Sequence, residues 1–363
     1  MTDLADRRKR LLESLEQDAF VTYNYEHSDQ ATLRYLTGFT GEGALIVSRA
    51  ATLLLTDSRY TDQAERETDG VTISETRNWT RKDLVEAIDK LGVSRVAFPS
   101  GRVTFRWAEA LREASKAEVV ALADPVAPLR LVKSEEELGF LRHAAQITDE
   151  ALGRLVDEIR IGMTEAEIAL RLEWLIRENP ASEGISFDLN VSTGPNSALN
   201  HYSPFMDPVA LREGDLLLFD IGTRVAGYCS DLTRTFSVGS PTEKASGIYD
   251  VVLRANLAAI EATTSGATGV AVDAVARDLI AAAGYAENFG HGLGHGIGLE
   301  VHEGPRVSPQ SEDTLSPGMV VTIEPGIYLS GFGGVRIEDD VVVRDGPCEV
   351  ISAFPKDRLI EVG

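Results

Sequence analysis

Four clusters of polar side chains carry the residue types that metal-assisted hydrolysis needs. They are Asn196–Tyr202 with His201, Asp220-Ile221-Gly222 with Gly227–Asp231, His291–Gly298 followed by Val301-His302-Glu303, and Glu324-Pro325-Gly326 with Arg336-Ile337-Glu338. Four of the six histidines lie within them. Asp220 closes the apolar run Leu216–Phe219, and strand alternation puts it on one face with Leu216 and Leu218. A carboxylate on a buried strand face is costly unless it is paired or binds a cation. Gly222 and Gly227 permit a turn, so a hairpin can bring Asp231 beside Asp220. Two carboxylates that close cannot both stay ionised without a cation or a proton between them. Taken alone, each aspartate reads more readily as the cap of a turn.

Glu324 follows the apolar run Met319–Ile323. In Val335–Glu338, Arg336 and Glu338 share one face, a pattern that also suits an edge strand with an exposed Arg–Glu pair. The recurrence of Asp220, Asp231 and Glu324 in or beside apolar strands favours a shared site. His295 is flanked by Gly292, Gly294, Gly296 and Gly298, which lets backbone or ligand approach closely. Each glycine would cost a helix roughly 1 kcal/mol, so this stretch is expected as strand or loop. Four carboxylates with one or more imidazoles form a hard, oxygen-rich donor set suited to Mn²⁺, Mg²⁺, Co²⁺ or Zn²⁺. Their charge balances two divalent ions, and such a pair can activate water and polarise a carbonyl.

The elements that must position these residues read as two α/β domains. Helical patterns cover Leu4–Leu15, Lys82–Leu91 and Phe105–Lys116. Short apolar runs at 44–47, 52–56, 95–98 and 119–122 read as strands. Together they predict a mixed sheet flanked by helices. Asp124-Pro125 and Pro128 break the pattern, and the boundary is placed there, dividing 1–128 from 129–363. Ser134/Glu137 and Thr164/Glu167 form two capping boxes that open long amphipathic helices. Further helices are expected at 244–263 and 268–283, and buried strands at 216–219, 319–323 and 341–343.

Composition narrows the function classes. The chain has 363 residues and a net charge of −22, which argues against nucleic acid as a partner. No run of 18 apolar residues occurs, so no spanning helix is expected. The charged start lacks an apolar segment of signal-peptide length, and Cys229 and Cys348 are too few for a disulfide scaffold. A cytoplasmic location is the expectation.

These clusters resemble the pita-bread metallopeptidases, the family of methionine aminopeptidase, aminopeptidase P and prolidase, and the resemblance spans essentially the whole chain. Its most specific parts are Asp220…Asp231-Leu232-Thr233-Arg234-Thr235-Phe236, Gly294–Gly298 with Val301-His302-Glu303, Ile323–Tyr328 and Gly334–Asp339. Tyr35–Gly41 and Thr56–Tyr60 resemble the creatinase-like amino-terminal domain of prolidases and aminopeptidase P. The fold implied is that α/β domain of mixed sheet followed by a pita-bread catalytic domain.

The resemblance implies Asp220, Asp231, His295, Glu324 and Glu338 as ligands of two divalent ions, Mn²⁺ or Co²⁺ before Zn²⁺, with Asp231 and Glu338 as bridges. It implies Glu324 as general base, His201 and His302 near the scissile bond, and Arg336 as support of the site. His291, Phe187 and Val301 would line the substrate pocket, and Arg306 would hold a substrate carboxylate. Asn200 departs from the proline many relatives carry before this histidine. The implied activity is hydrolysis of Xaa-Pro bonds by a homodimer, in dipeptides before longer peptides. An aminopeptidase P, a creatinase-like hydrolase and a non-catalytic binding relative are the alternatives.

Overall fold

The computed structural model describes residues 4–363. The chain forms two compact units, one running to Arg130 and the other Leu131–Gly363.

The first unit is built on a six-stranded sheet. Its strands are β1 (Ala19–Asn24), β2 (Gly43–Ser48), β3 (Thr52–Thr56), β4 (Thr72–Glu75), β5 (Arg95–Pro99) and β6 (Glu118–Leu122), in the order β4-β3-β2-β1-β5-β6. β2 pairs antiparallel with β1 and β3, whereas β4, β5 and β6 join in parallel. Every residue of β1 and β2 is buried, as expected of strands covered on both faces. The covering helices are α1 (Leu4–Ser14), α2 (Gln30–Thr37), α3 (Thr61–Glu67), α4 (Lys82–Leu91), α5 (Phe105–Ala114) and the single turn α6 (Ala127–Arg130). The helix expected at 105–116 stops at Ala114, where Ser115 turns extended.

The second unit opens with α7 (Glu135–Val156) and α8 (Glu165–Arg177). Both begin with the capping boxes read from the sequence: Ser134 with Glu137, and Thr164 with Glu167. The strands that follow are β7 (Asn190–Thr193), β8 (Leu216–Ile221), β9 (Arg224–Val225), β10 (Tyr228–Cys229) and β11 (Leu232–Val238). α9 (Glu243–Ala262) and α10 (Gly269–Ala282) separate them from β12 (Gly294–Gly296), β13 (Glu303–Val307), β14 (Val320–Ile323), β15 (Gly326–Leu329), β16 (Gly333–Arg336), β17 (Asp339–Val342), β18 (Glu349–Val350) and β19 (Ile360–Val362). One sheet has the order β19-β11-β8-β7 and another β13-β12-β14-β17-β18, with β9–β10 and β15–β16 as separate ribbons.

Each helix pair covers one sheet. Leu152 and Leu155 of α7 and Leu172 and Ile176 of α8 pack on Leu217, Phe219, Leu232 and Phe236. Val252 and Ala259 of α9 and Val272 and Ile280 of α10 pack on Val321, Ile323, Val335 and Val341. Burying these alternate residues, at roughly 1.5–3 kcal/mol for each large aliphatic side chain, fixes strand register. Alternation then turns Asp220 and Thr322 to the opposite faces, away from the helices.

Candidate metal centre

Asp220 and Asp231 reach one face through the β8–β11 pairing. Thr233 stands opposite Asp220, and Asp231 lies two residues before Thr233 on the same side. Asp231 sits immediately before β11, not within it as the hairpin reading had it, and its amide donates to Asp340 Oδ2 at 3.0 Å. His295 arrives on β12. A Cβ at Gly294 would lie 1.9 Å from the carbonyl of Thr322, and one at Gly296 1.9 Å from that of Gly304. The two glycines therefore let β12 press between its neighbours and carry the imidazole inward.

Glu324 and Glu338 come from a break in one long ribbon. β14 pairs with β17 up to Ile323↔Asp339, and β15 pairs with β16 from Gly326↔Arg336. Residues 324–325 and 337–338 fall between the two ladders, where Pro325 has no amide hydrogen to donate. The sequence pattern placed Arg336 and Glu338 on one uninterrupted strand, with an exposed pair as the alternative. Instead the strand is interrupted at 337–338, and both side chains are buried, at 4% and 2% exposure.

The ligand-bearing atoms converge. One atom each from Asp231, His295 and Glu338 lies within 4.8 Å of the others. His295 Nε2 is 3.7 Å from Asp231 Oδ2 and 3.5 Å from Glu324 Oε1. Its Nδ1 faces the carbonyl of Gly296 at 3.1 Å, which fixes that nitrogen as the donor and leaves Nε2 free to bind. Burial, with the neighbouring His302, lowers the His295 imidazole to about 4, so it is neutral at pH 7.

The carboxyls are pushed the other way. Burial and then the charge of Glu338 hold Asp231 well above the usual carboxylate range. Burial and the charges of Glu324 and Asp220 do the same to Glu338. Burial lifts Glu324 to about 8, against the pull of Arg336. Asp220 is raised by burial and tempered by Arg336, whose Nη2 bonds its Oδ2. Asp231 Oδ1 is buried and has no hydrogen-bond partner among the described residues. An acceptor-rich, donor-poor pocket of carboxylate oxygens and one imidazole nitrogen fits a divalent cation, and Asp231, His295 and Glu338 are placed to hold one.

The remaining expected residues surround this cluster to different degrees. His291 is close: its Nε2 lies 2.9 Å from the Tyr328 hydroxyl and its Nδ1 4.0 Å from Glu324 Oε2. Burial and the charge of Arg336 lower His291 to about 4. His302 is exposed, with its ring centroid 4.4 Å from that of His295. His201 is exposed on the loop after Ala198. Arg306 is exposed and stands opposite His295 in the β12–β13 register. Phe187 lies against Gly222, two residues beyond Asp220, and Val301 packs with Cys229 and Ile297.

Three contributors were missed. Thr233 donates to Glu338 Oε2 at 2.5 Å and receives a bond from Arg336 Nε at 2.9 Å. Tyr328 receives a bond from Arg336 Nη1 at 3.0 Å and links that arginine to His291. Asp340, fully buried, accepts the amide of Asp231. Thr233 and Asp340 lie two residues from Asp231 and Glu338, so strand period was a signal for both. Tyr328 closes the Ile323–Tyr328 stretch that carries the family resemblance, which was the signal for it.

Comparison with known proteins follows this geometry. A model of metallopeptidase family M24 matches residues 139–345, and one of the creatinase/prolidase N-terminal domain matches residues 7–132. The Xaa-Pro dipeptidase of Pyrococcus horikoshii is 37% identical over 313 residues, covering 85% of this chain and 86% of that one. The solved Xaa-Pro dipeptidase from Bacillus anthracis is 37% identical with a TM-score of 0.93, covering 99% of this chain and all of that one. The X-Pro aminopeptidase structure from Thermotoga maritima is 38% identical with a TM-score of 0.91, covering 98% and 100%. These likenesses bear out the expected fold, a creatinase-like mixed-sheet domain followed by a pita-bread domain.

Proposed function

This chain belongs to metallopeptidase family M24, and from that premise we propose that it hydrolyses the Xaa-Pro bond of dipeptides. The observation that carries the proposal is the convergence of Asp231, His295 and Glu338 within 4.8 Å, in a chain whose relatives include Xaa-Pro dipeptidases. In this reading Asp220, Asp231, His295, Glu324 and Glu338 hold two divalent ions, Mn²⁺ or Co²⁺, with Zn²⁺ also suited to the donor set. Asp231 and Glu338 would each offer a carboxylate to these ions. Asp220 would exchange its bond to Arg336 for a cation. Bound ions would lower the pKa of water and polarise the scissile carbonyl.

The chain's own residues do the rest. Glu324 accepts the proton of the attacking water. Burial lifts its carboxyl to about 8, so bound cations would be needed to keep it ionised and able to accept that proton at neutral pH. Arg336, through Thr233 and Tyr328, holds the carboxylates and His291 in fixed relation. In this reading the exposed His302 and His201 would bond the substrate carbonyl and move a proton to the leaving nitrogen. His291, Phe187 and Val301 line the pocket. Arg306 offers a guanidinium to the free carboxylate of a dipeptide, a match that favours bidentate pairing.

The same reading makes the enzyme a cytoplasmic homodimer with no nucleic-acid or membrane partner. Free Cys229 and Cys348 and the net charge of −22 support this. Among the described residues no helix is long and apolar enough to cross a membrane.

The test is a paired assay on chelator-stripped protein reloaded with Mn²⁺. Cleavage of Leu-Pro, with Leu-Pro-Ala slow, is the expected result. Preference for the tripeptide would make the enzyme an Xaa-Pro aminopeptidase. Cleavage of neither by metal-loaded protein would overturn the peptidase reading and favour a creatinase-like or binding role.

A further inference from the structure

We infer that Asn256 is a positioning residue that sets the spacing of Glu324 and Glu338. It is fully buried on α9, on the face that carries Val252, Ala255 and Ala259. An amide there is costly unless every polar atom is bonded, and Asn is a poor residue for a helix interior. Both costs are offset by what the side chain reaches.

Its Nδ2 lies 3.0 Å from the carbonyl of Ile323 and 3.2 Å from that of Ile337. Each of these carbonyls immediately precedes one of the two glutamates. They border the two-residue break between the β14–β17 and β15–β16 ladders. In this break the amides of Glu324 and Glu338 also leave the ribbon, donating to Leu293 and Thr233 carbonyls at 2.8 and 3.1 Å. A single carboxamide thus ties together the two peptides from which both glutamates project.

The carboxamide is itself held. Lys356 Nζ donates to Asn256 Oδ1 at 2.7 Å, so the nitrogen must face the carbonyls. Lys356 also pairs with Asp339, whose Oδ2 accepts from Asn256 at 3.1 Å. Arg234 holds the other side, bonding the Glu338 carbonyl and, at 2.8 Å, Asp339 Oδ1. Shifting either glutamate would break bonds to a fixed, buried amide. Partners of this kind, one shell behind the ligands, typically change metal affinity or activity 10- to 100-fold when removed.

The inference rests on the proposed metal site, and its test separates the two. Chelator-stripped wild type, Asn256→Ala, Asn256→Asp and Val252→Ala are titrated with Co²⁺, followed by visible absorption, and then assayed on Leu-Pro. Val252, fully buried on α9 beside the same core, controls for general loss of stability. In the Asn256 variants the expected result is a Co²⁺ Kd weakened about 10- to 100-fold, a shifted absorption band and a reduced kcat with KM within about twofold. Val252→Ala should bind like the wild type. Unchanged Kd and spectrum in both Asn256 variants would overturn the inference, as would an equal loss in Val252→Ala. If the Asn256 variants do not fold, Lys356→Met carries the test: a Kd weakened severalfold supports the inference and an unchanged Kd overturns it. Wild type that binds Co²⁺ without cleaving Leu-Pro would count against the proposed activity and leave the affinity comparison intact.

Discussion

Arg336 and Asp220 form an ion pair between the end of β16 and the end of β8, with Nη2 and Oδ2 2.5 Å apart. The guanidinium is 5% exposed and sits among Asp220, Glu324 and Glu338. It supplies positive charge to a cluster that would otherwise repel itself. Replacing Arg336 with Gln should therefore destabilise chelator-stripped protein by about 3 kcal/mol at pH 7. Mn²⁺ should recover much of the loss by neutralising the same carboxylates. Thermal unfolding with and without Mn²⁺ measures this, and equal losses in both states would refute the electrostatic account.

Glu324→Gln should keep the fold, because the substitution preserves shape and removes a buried charge. Loss of the proton acceptor should lower kcat about 10³-fold. Steady-state kinetics on Leu-Pro with Mn²⁺ provide the check, and activity within tenfold of wild type would end the general-base assignment.

Asp231 is one of three residues whose ligand atoms lie within 4.8 Å of one another, and it has a buried oxygen with no hydrogen-bond partner among the described residues. Asp231→Asn should lower bound metal to one ion or fewer per chain. Elemental analysis after dialysis against Mn²⁺ measures it. Wild-type metal content would remove Asp231 from the ligand set.

Arg306 is exposed and stands opposite His295, and the proposed function has it meet the free carboxylate of a dipeptide. Arg306→Ala should cut kcat/KM for Leu-Pro by roughly 10- to 100-fold, the worth of a charge-assisted hydrogen bond. Leu-Pro-Ala should change less. A uniform loss on both substrates would show that Arg306 does not read peptide length.

Asp29 concerns the first unit and its stability. It is buried beside Thr22, whose hydroxyl donates to Oδ2 at 2.5 Å, and burial raises its carboxyl to about 7. A carboxyl raised in the folded state binds its proton more tightly than in the unfolded chain. Its stabilisation is full below the unfolded pKa of about 4 and is lost as pH rises through about 7. Asp29→Asn should abolish this loss and gain on the order of 3 kcal/mol over wild type at pH 8. Urea unfolding at pH 4 and pH 8, followed by Trp79 and Trp107 fluorescence, checks the sign. A wild-type pH slope in the variant would exclude Asp29 as its source.

Much of the architecture was legible because its signals are local. Capping boxes at Ser134 and Thr164 need only a hydroxyl and a glutamate three residues on, and both helices start where these stand. The apolar runs of β2, β3, β5 and β8 announce buried strands through composition alone. β1 was not anticipated, although it is the strand on which the first sheet is centred, because Ala19–Asn24 mixes apolar and polar residues without a clear period. Thr22 and Asn24 are buried there only because tertiary partners satisfy them, in Asp29 and the carbonyl of Gly41. α2 and α3 were missed because they are only eight and seven residues long, too short for a periodic pattern to stand out.

The sequence by itself determined which side chains could do chemistry. The five candidate ligands, the apolar runs beside them and the glycines around His295 were readable, since residue type is a property of short segments. Tertiary structure alone decided how they meet. The break at 324–325 and 337–338, which turns two glutamates toward Asp231, arises where one ribbon passes between two ladders. Its carbonyls are satisfied by Asn256, 67 positions before Ile323 and 81 before Ile337. The same is true of the Arg336–Asp220 pair, which joins residues 116 apart. Contacts of that span leave no local trace, because what selects them is the burial of shared polar groups by the folded core.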